Sequence, residues 1–230
     1  MYIGGLQKTT LLDFPDRLAC IVFTRGCNFR CPYCYNTELI PLPDPQEEED
    51  LSSLWEFLES RKNILDGVCI TGGEPLLQKD LPEFLRKVRE MGFLIKLDTN
   101  GSFPERLEAI LQEDLVEYLA MDVKTSPENY DRLSGFPGSR EKVAASLEIL
   151  RKGKVSFECR TTLVPRFHSP EILEDLGQWV RGVPLWVLQR FRPGKTLDPS
   201  LEKERTFTRA EMEAFRKIAV PYAEKVLLRE

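Results

Sequence analysis

The sequence lacks several features that would place it in other protein classes. No run approaches the roughly 20 apolar residues that a membrane span needs, so no membrane protein is predicted. No basic stretch leads into an apolar segment at the N-terminus, so no signal peptide is expected and a cytoplasmic location is predicted. The 32 basic residues are outnumbered by 37 acidic ones, and the net charge of −5 argues against nucleic acid as the main partner.

The sequence contains six cysteines, and their placement is uneven. Three of the six cysteines, Cys20, Cys69 and Cys159, lie inside apolar strand-like runs and are expected to be buried structural residues. The other three, Cys27, Cys31 and Cys34, share one short segment with the spacing C-x3-C-x2-C. Because thiols stay reduced in the cytosol, this segment predicts a metal site and no disulfide framework.

The three-cysteine segment has no fourth cysteine at matching spacing. Three thiolates can hold three corners of a cubane [4Fe–4S] cluster, which leaves one iron open to a substrate or cofactor. An electron-transfer ferredoxin normally supplies four thiolates. Zinc is the alternative, but zinc would need a fourth ligand, and the only histidine, His168, is distant in sequence.

Short apolar runs alternate with longer amphipathic ones along the chain. The predicted strands cover residues 18–24, 67–71, 93–97, 118–123, 155–164 and 184–190. The predicted helices cover residues 51–61, 81–91, 104–111, 140–152 and 170–180, with a late helix at 209–219 and a short strand at 224–228. Six strand–helix repeats predict an α/β fold with parallel strands and right-handed crossovers. Periodicity alone leaves a closed barrel, a partial barrel and a doubly wound open sheet as alternatives.

The length of 230 residues fits one domain. We expect a single domain over residues 1–230, with a core at about 16–195 and a C-terminal helix and strand within 205–230. The acidic run at residues 46–50 is expected to form a solvated helix start, where acids favour the helix dipole.

Polar residues stand at the carboxyl ends of the predicted strands, where barrels carry their functional groups. They are Gly72, Gly73 and Glu74 after the second strand, Asp98, Thr99 and Asn100 after the third, Asp122 and Lys124 at the fourth, Arg160 in the fifth and His168 after it. Structural explanations exist for several of them. Pro75 can set a turn, Asp98 can form an Asx turn, and Asp122 can pair with Lys124 in a salt bridge.

These motifs resemble those of the radical S-adenosylmethionine (SAM) enzymes. In that family the open iron binds the amine and carboxylate of SAM, and an aromatic residue, here Tyr35, follows the third cysteine. The resemblance implies a partial (β/α)6 barrel of the radical SAM type, similar to a TIM barrel. It implies two cofactors, SAM and a [4Fe–4S] cluster on Cys27, Cys31 and Cys34. It also implies that the Gly72–Glu74 segment hydrogen-bonds the amine of SAM.

The segments around Asp98 and Asp122 resemble those of glycyl radical activating enzymes, where they contact SAM. The cofactor-binding residues that the resemblance implies are Tyr33, Tyr35, Gly72, Gly73, Glu74, Asp98, Thr99, Asn100, Asp122, Lys124, Arg160 and His168. For His168 the implied contact is the adenosyl group. For Arg160 the partner is either the carboxylate of SAM or an aspartate at the barrel rim. A monovalent cation is implied at Asp98, Thr99 and Asp122, because two aspartates and a threonine hold one in the activase of pyruvate formate-lyase.

The opening segment, residues 4–17 with Leu12-Asp13-Phe14-Pro15, resembles the anaerobic ribonucleoside-triphosphate reductase activating proteins. The resemblance covers about residues 3–195. It implies an oxidoreductase in which the reduced cluster cleaves SAM to a 5′-deoxyadenosyl radical, which generates a glycyl radical on a partner enzyme. The implied partner is the anaerobic reductase, and the implied electron donor is a flavodoxin- or ferredoxin-type protein. Many activases have Cys-His-Asn where this chain has Cys34-Tyr35-Asn36, which loosens the assignment to one partner.

Two alternatives of different class stay open. One is a radical SAM enzyme that acts on a small molecule or on RNA. The other is a non-catalytic zinc or iron–sulfur module. The second alternative leaves the placement of Gly72-Gly73-Glu74-Pro75 and of Asp98-Thr99-Asn100-Gly101 at strand ends unexplained.

Overall fold

The computed structural model describes residues 1–42, 44 and 50–229. The strands are β1 (Ile3–Thr10), β2 (Ala19–Thr24), β3 (Gly67–Gly72), β4 (Leu94–Thr99), β5 (Tyr118–Asp122), β6 (Ser156–Leu163), β7 (Val183–Arg190) and β8 (Ala223–Arg229). The α-helices are α1 (Ser52–Glu59), α2 (Leu81–Glu90), α3 (Pro104–Gln112), α4 (Tyr130–Ser134), α5 (Ser139–Lys152), α6 (Pro170–Trp179) and α7 (Arg209–Ala219).

The eight strands follow chain order in one sheet, from β1 to β8. Strand β1 pairs with β2 in the antiparallel sense. Strands β2, β3 and β4 pair in parallel, as do β6, β7 and β8. At least one helix follows each strand from β2 to β7, which supplies the crossover that parallel neighbours require. The predicted α/β class with six strand–helix repeats is confirmed.

Helix α2 shows why these segments become helices that cover the sheet. Its buried residues, Leu81, Phe84, Leu85 and Val88, recur at helical spacing and form one apolar stripe. The stripe packs on β4. Burial of each such side chain contributes roughly 1.5–3 kcal/mol. Pro82 lies in the first turn, where its missing N–H costs nothing, and Gly92 follows the helix with a φ of 91°.

The described chain divides into two compact units. The first unit comprises Met1–Asn28, Glu38–Thr99 and Glu105–Leu119, and the second comprises Phe29–Thr37, Asn100–Pro104 and Ala120–Glu230. A core cluster of the first unit contains Phe14, Ala19, Ile21 and Cys69. A core cluster of the second contains Tyr33, Leu133, Val164, Phe191 and Leu201. The predicted site residues are divided between these two units.

The three cysteines expected to be structural are buried and free. Burial raises the pKa of the Cys20 and Cys159 thiols to about 12. It also raises the pKa of the Cys69 thiol well above its usual range. All three are therefore neutral at physiological pH and behave as small apolar side chains.

Strand β1 was not predicted from the sequence, because Gly4 and Gly5 interrupt the run and its side chains do not alternate regularly. Gly4 is needed here, since a Cβ atom would lie 2.2 Å from Leu39 Cδ2. The five-residue helix α4 was also missed; it ends at Gly135 in the left-handed region with a φ of 65°.

The end of one strand differs from the prediction, and one predicted helix start lies mostly outside the described residues. Strand β4 extends to Thr99, so Asp98 and Thr99 belong to the strand itself. Residues 46–49 of the acidic run lie outside the described residues. Asp50 is described, and its Oδ1 accepts the Ser52 N–H at 2.9 Å where α1 begins. In the described part of the chain no helix combines the length and apolar character needed to cross a membrane.

Candidate functional site

The cysteine loop leaves the carboxyl end of β2, as the sequence predicts. In the first unit it turns at Gly26, which has a φ of 90°. The Gly26 N–H donates to the Leu39 carbonyl at 2.7 Å, and the Cys27 N–H donates to the Ile40 carbonyl at 3.1 Å. The backbone at the first cysteine is therefore tied to the segment that follows the loop.

The other two cysteines lie in the second unit. The Cys34 N–H donates to the Cys31 carbonyl at 3.0 Å, which closes a tight turn between them. Cys31 is buried, and this burial raises the pKa of its thiol to about 11, although the Lys124 ammonium opposes the shift. Binding as a thiolate therefore requires a positive metal centre to offset the cost of burying the charge.

Gly72 and Gly73 bring the segment after β3 against the start of the cysteine loop, within the first unit. The Gly73 N–H donates to the Thr24 carbonyl at 2.9 Å, and the Glu74 N–H donates to the Gly26 carbonyl at 2.8 Å. A Cβ atom on Gly73 would lie 2.1 Å from the Gly26 oxygen. Gly72 has a φ of 114°, a conformation that favours glycine. Only glycine therefore permits this close approach.

Glu74 is wholly buried, with 0% exposure, and its carboxylate is held in place. Its Oε1 accepts the Leu76 N–H at 3.0 Å and the Thr99 hydroxyl at 2.7 Å. Arg106 donates to the Leu76 and Leu77 carbonyls at 2.6 and 2.9 Å, which fixes the turn that carries Glu74. The structure thus brings two predicted site residues, Glu74 and Thr99, together. No sequence motif predicted that Arg106 would stabilise this turn.

Asp98 and Asn100 have local partners that the sequence did not identify. Asp98 forms an ion pair with Lys96, which lies two residues earlier in β4 and so on the same face of the strand. The Lys96 side chain is only 3% exposed. An Asx turn forms at Asn100, whose Oδ1 accepts the Ser102 N–H at 3.0 Å, and the Asx turn expected at Asp98 stays a prediction.

Asp122, Arg160 and Lys124 form a compact ionic cluster in the second unit. Arg160 Nε lies 2.8 Å from Asp122 Oδ1, and Lys124 Nζ lies 3.2 Å from Asp122 Oδ2. Burial raises the pKa of Asp122, but the two cations outweigh burial and lower it to about 2. Arg160 thus contacts a rim aspartate, one of the two partners left open by the sequence, and the predicted Asp122–Lys124 salt bridge is present.

The Asp122 ion pairs make the stability of the protein depend on pH. The folded pKa of about 2 lies below the usual value of about 3.9, so the stabilisation is complete above about pH 4. It is lost as the pH falls from about 4 to 2. Asp122→Asn is expected to lower the urea midpoint at pH 7, because it leaves two cations without their carboxylate. It should also flatten the dependence of that midpoint on pH below about 4.

Urea unfolding of the cluster-free protein between about pH 2 and 7 measures this effect. Asp175→Asn, at an exposed position on α6, is the matched control and should keep the wild-type pH dependence. An acid loss of stability that is equally steep in wild type and in Asp122→Asn would contradict the assignment.

His168 is buried, and both of its ring nitrogens contact the backbone. Nδ1 accepts the Val164 N–H at 3.0 Å, so Nε2 carries the proton and donates to the Lys124 carbonyl at 2.9 Å. Burial lowers the pKa of the imidazole, which is therefore neutral. His168 connects the loop after β6 to the Asp122–Lys124 segment. Its contact with an adenosyl group stays a prediction.

The two tyrosines of the cysteine loop have different surroundings. Tyr33 is buried, and its ring centroid lies 6.0 Å from that of Phe167. The Tyr33 hydroxyl and the Thr125 hydroxyl are buried and have no hydrogen-bond partner within the described residues. The Tyr35 ring stacks on Phe191 at 5.8 Å, and its hydroxyl accepts the Arg192 N–H at 2.8 Å.

The residues present fit an iron–sulfur cluster and SAM. Three thiols on one loop are a donor set for a cubane with one open iron. The buried Tyr33 hydroxyl, which has no hydrogen-bond partner among the described residues, can hydrogen-bond a group supplied by a ligand. Across the described ranges no three His, Cys, Asp or Glu side chains are gathered as metal ligands. The cluster therefore rests on the chemistry of the donor set and on the family, and the monovalent cation at Asp98, Thr99 and Asp122 stays a prediction.

Comparison with known proteins identifies the family. Residues 21–179 match the model of the radical SAM superfamily. A Methanocaldococcus jannaschii protein with the provisional name glycyl-radical enzyme activating enzyme is 32% identical, over 99% of this chain and 95% of its own length. The pyruvate formate-lyase-activating enzyme of Staphylococcus aureus is 29% identical over 79% of this chain and 76% of its own length.

Solved structures show the same fold at low sequence identity. TYW1 with a lysine-pyruvate adduct bound superposes with a TM-score of 0.63 at 17% identity, covering 89% of this chain and 74% of its own. Streptococcus suis SuiB bound to its precursor peptide gives a TM-score of 0.64 at 15% identity, covering 91% of this chain and 48% of its own. The expected fold class, a partial (β/α)6 barrel of the radical SAM type, is confirmed.

Sequence, fold and relatives agree on the class of chemistry. The family implies a [4Fe–4S] cluster and SAM as cofactors, and the two relatives described above are named as activating enzymes of glycyl radical chemistry, which indicates an oxidoreductase. The chain belongs to the radical SAM superfamily and, within it, to the family of glycyl-radical enzyme activating enzymes.

Proposed function

We propose that this protein generates a glycyl radical on the anaerobic ribonucleoside-triphosphate reductase. The observation that carries the proposal is the match to a glycyl-radical enzyme activating enzyme over 99% of this chain and 95% of that protein. The proposed electron donor is a flavodoxin- or ferredoxin-type protein, and the proposed location is the cytoplasm.

When bound, the cluster and SAM supply an electron and a 5′-deoxyadenosyl radical. The protein binds these two cofactors and orients them. Cys27, Cys31 and Cys34 are the proposed cluster ligands. The backbone of Gly72 and Gly73 and the carboxylate of Glu74 are the proposed partners of the SAM amine. Glu74 is suited to this role because Thr99 and the Leu76 N–H already fix its carboxylate.

The ionic cluster of the second unit is the proposed site for the negatively charged end of SAM. Arg160 and Lys124 are the two cations of this cluster, and a carboxylate of the ligand would form charge-assisted hydrogen bonds with them. The buried Tyr33 hydroxyl and His168 are the proposed neighbours of the adenosyl group.

The loop between β1 and β2 supports a protein as the substrate. Leu11 and Leu12 are adjacent and are 74% and 84% exposed. The Leu12 and Asp13 N–H groups donate to the Thr10 hydroxyl at 3.2 and 3.3 Å, so the loop presents these leucines in a fixed turn. A contiguous exposed apolar patch can mark a surface that binds another protein. We propose that this turn contributes to such a patch and contacts the reductase.

The test mixes the reconstituted protein with SAM, a reductant and the reductase of the same source, without oxygen. We expect the EPR doublet of a glycyl radical on the reductase, and no such signal on a reductase whose radical-bearing glycine is replaced by alanine. Formation of 5′-deoxyadenosine without the doublet would refute the reductase as partner and favour a small molecule or RNA. Absence of 5′-deoxyadenosine would favour a non-catalytic module.

A further inference from the structure

The segment after β7, residues 191–204, lies against the second half of the cysteine loop within the second unit. We call this segment the strap. The Leu197 N–H donates to the Cys34 carbonyl at 3.1 Å, and the Asp198 N–H donates to the Pro32 carbonyl at 2.8 Å. Two neighbouring amides of the strap thus bind carbonyls on either side of Tyr33.

A third hydrogen bond joins the strap to the loop through a side chain. The Tyr35 hydroxyl accepts the Arg192 N–H at 2.8 Å, and the Tyr35 ring lies nearly parallel to that of Phe191, with 13° between the ring planes. The residue directly after the third cysteine is therefore held by the first two residues of the strap. The Tyr35 ring supplies the apolar surface that packs on Phe191. Its hydroxyl fixes the orientation of the ring by accepting the Arg192 N–H.

The strap is itself fixed at both ends. Phe191 and Leu201 are wholly buried in the same core cluster as Tyr33. Arg166, from the loop after β6, donates to the Ser200 hydroxyl at 2.7 Å and forms an ion pair with Glu204 at 2.9 Å. The strap thus connects the cysteine loop to the apolar core of the second unit and does not end in solvent.

We propose that the strap is a positioning element that sets the Cys31–Tyr35 half of the loop in its cluster-binding shape before the cluster is present. A loop whose carbonyls are already bound loses less conformational freedom when its thiols take up iron. Loss of a strap contact should therefore loosen the loop and weaken retention of the cluster. This inference concerns the holding of the cluster, so it applies whichever molecule accepts the radical.

Tyr35→Phe tests the proposal, because it removes the hydroxyl and keeps the ring. In the cluster-free protein, we expect the Arg192 amide to exchange with deuterium about 5- to 10-fold faster. In the reconstituted protein without SAM, we expect iron loss to a chelator to accelerate about 5-fold. Tyr222→Phe, on a tyrosine of the same unit whose hydroxyl is 3.5 Å from Gln178 Nε2, is the matched control and should change neither rate.

Arg166→Gln provides a second variant that does not touch the cysteine loop. It should accelerate exchange of the Leu197 and Asp198 amides, accelerate iron loss and alter the EPR line shape of the reduced cluster. Near-UV circular dichroism checks that both variants fold. Unchanged iron loss in Tyr35→Phe and Arg166→Gln, with or without faster exchange, would overturn the proposal. A reductase that gains no radical would refute the proposed function but leave the strap intact.

Discussion

Replacement of Cys31 with alanine is expected to lower the rate of SAM cleavage by at least about 10³-fold, to the level of protein without a cluster. Two thiolates on this loop cannot hold a cubane in place, and no histidine of the second unit is free to replace the third, since both nitrogens of His168 contact the backbone. The measurements are iron content per chain, the visible absorption of the reconstituted protein and the yield of 5′-deoxyadenosine.

Cys159→Ala is the matched control for this variant. Cys159 is buried in β6 and plays no part in the loop, so its replacement removes one sulfur from the core at a cost of about 1 kcal/mol or slightly more. The control should lose stability and keep its iron. Undiminished 5′-deoxyadenosine from Cys31→Ala, or an equal loss in both variants, would contradict the cluster assignment.

Gly73→Ala is expected to have the largest effect outside the cysteines. The new methyl group would lie 2.1 Å from the Gly26 oxygen, so one of the two backbone segments must move. Gly26 directly precedes Cys27, and its carbonyl also accepts the Glu74 N–H. We expect destabilisation by about 1–3 kcal/mol in urea unfolding and a clear drop in the iron retained per chain.

Gly5→Ala serves as the control because its added methyl group would make only an ordinary contact, 3.7 Å from Phe23. It should change the unfolding free energy by less than about 1 kcal/mol and leave iron content unchanged. A Gly73→Ala protein with wild-type stability and full iron content would show that the close approach of the two segments is not required.

The sequence predicted the parts of the fold that depend on periodicity. The parallel strands and their helices were found because apolar runs and amphipathic stripes alternate regularly, and α7 was located at its observed bounds, residues 209–219. Strand β1 was missed because it is an edge strand with two glycines, whose pairing is decided by its neighbour β2 and by close packing at Gly4.

The sequence predicted the types of site residue better than their partners. Strand-end placement pointed to Glu74, Thr99 and Asp122, and a position inside the fifth predicted strand pointed to Arg160. The structure joins Glu74 with Thr99 and Asp122 with Arg160. The Lys96–Asp98 pair follows from strand geometry and could have been read from the i, i+2 spacing. The contact between the strap and the cysteine loop could not be predicted from the sequence. The Tyr35 hydroxyl is bound by the backbone amide of Arg192, and a backbone amide produces no pattern in the side chains.

In the proposed reaction, a hydrogen atom passes from a glycine of the reductase to the 5′-deoxyadenosyl radical. The direct measurement uses reductase labelled with deuterium at the glycine Cα and mass spectrometry of the 5′-deoxyadenosine formed with this protein. We expect one deuterium in the product, in an amount equal to the glycyl radical counted by EPR. Unlabelled 5′-deoxyadenosine accompanied by no radical on the reductase would contradict it.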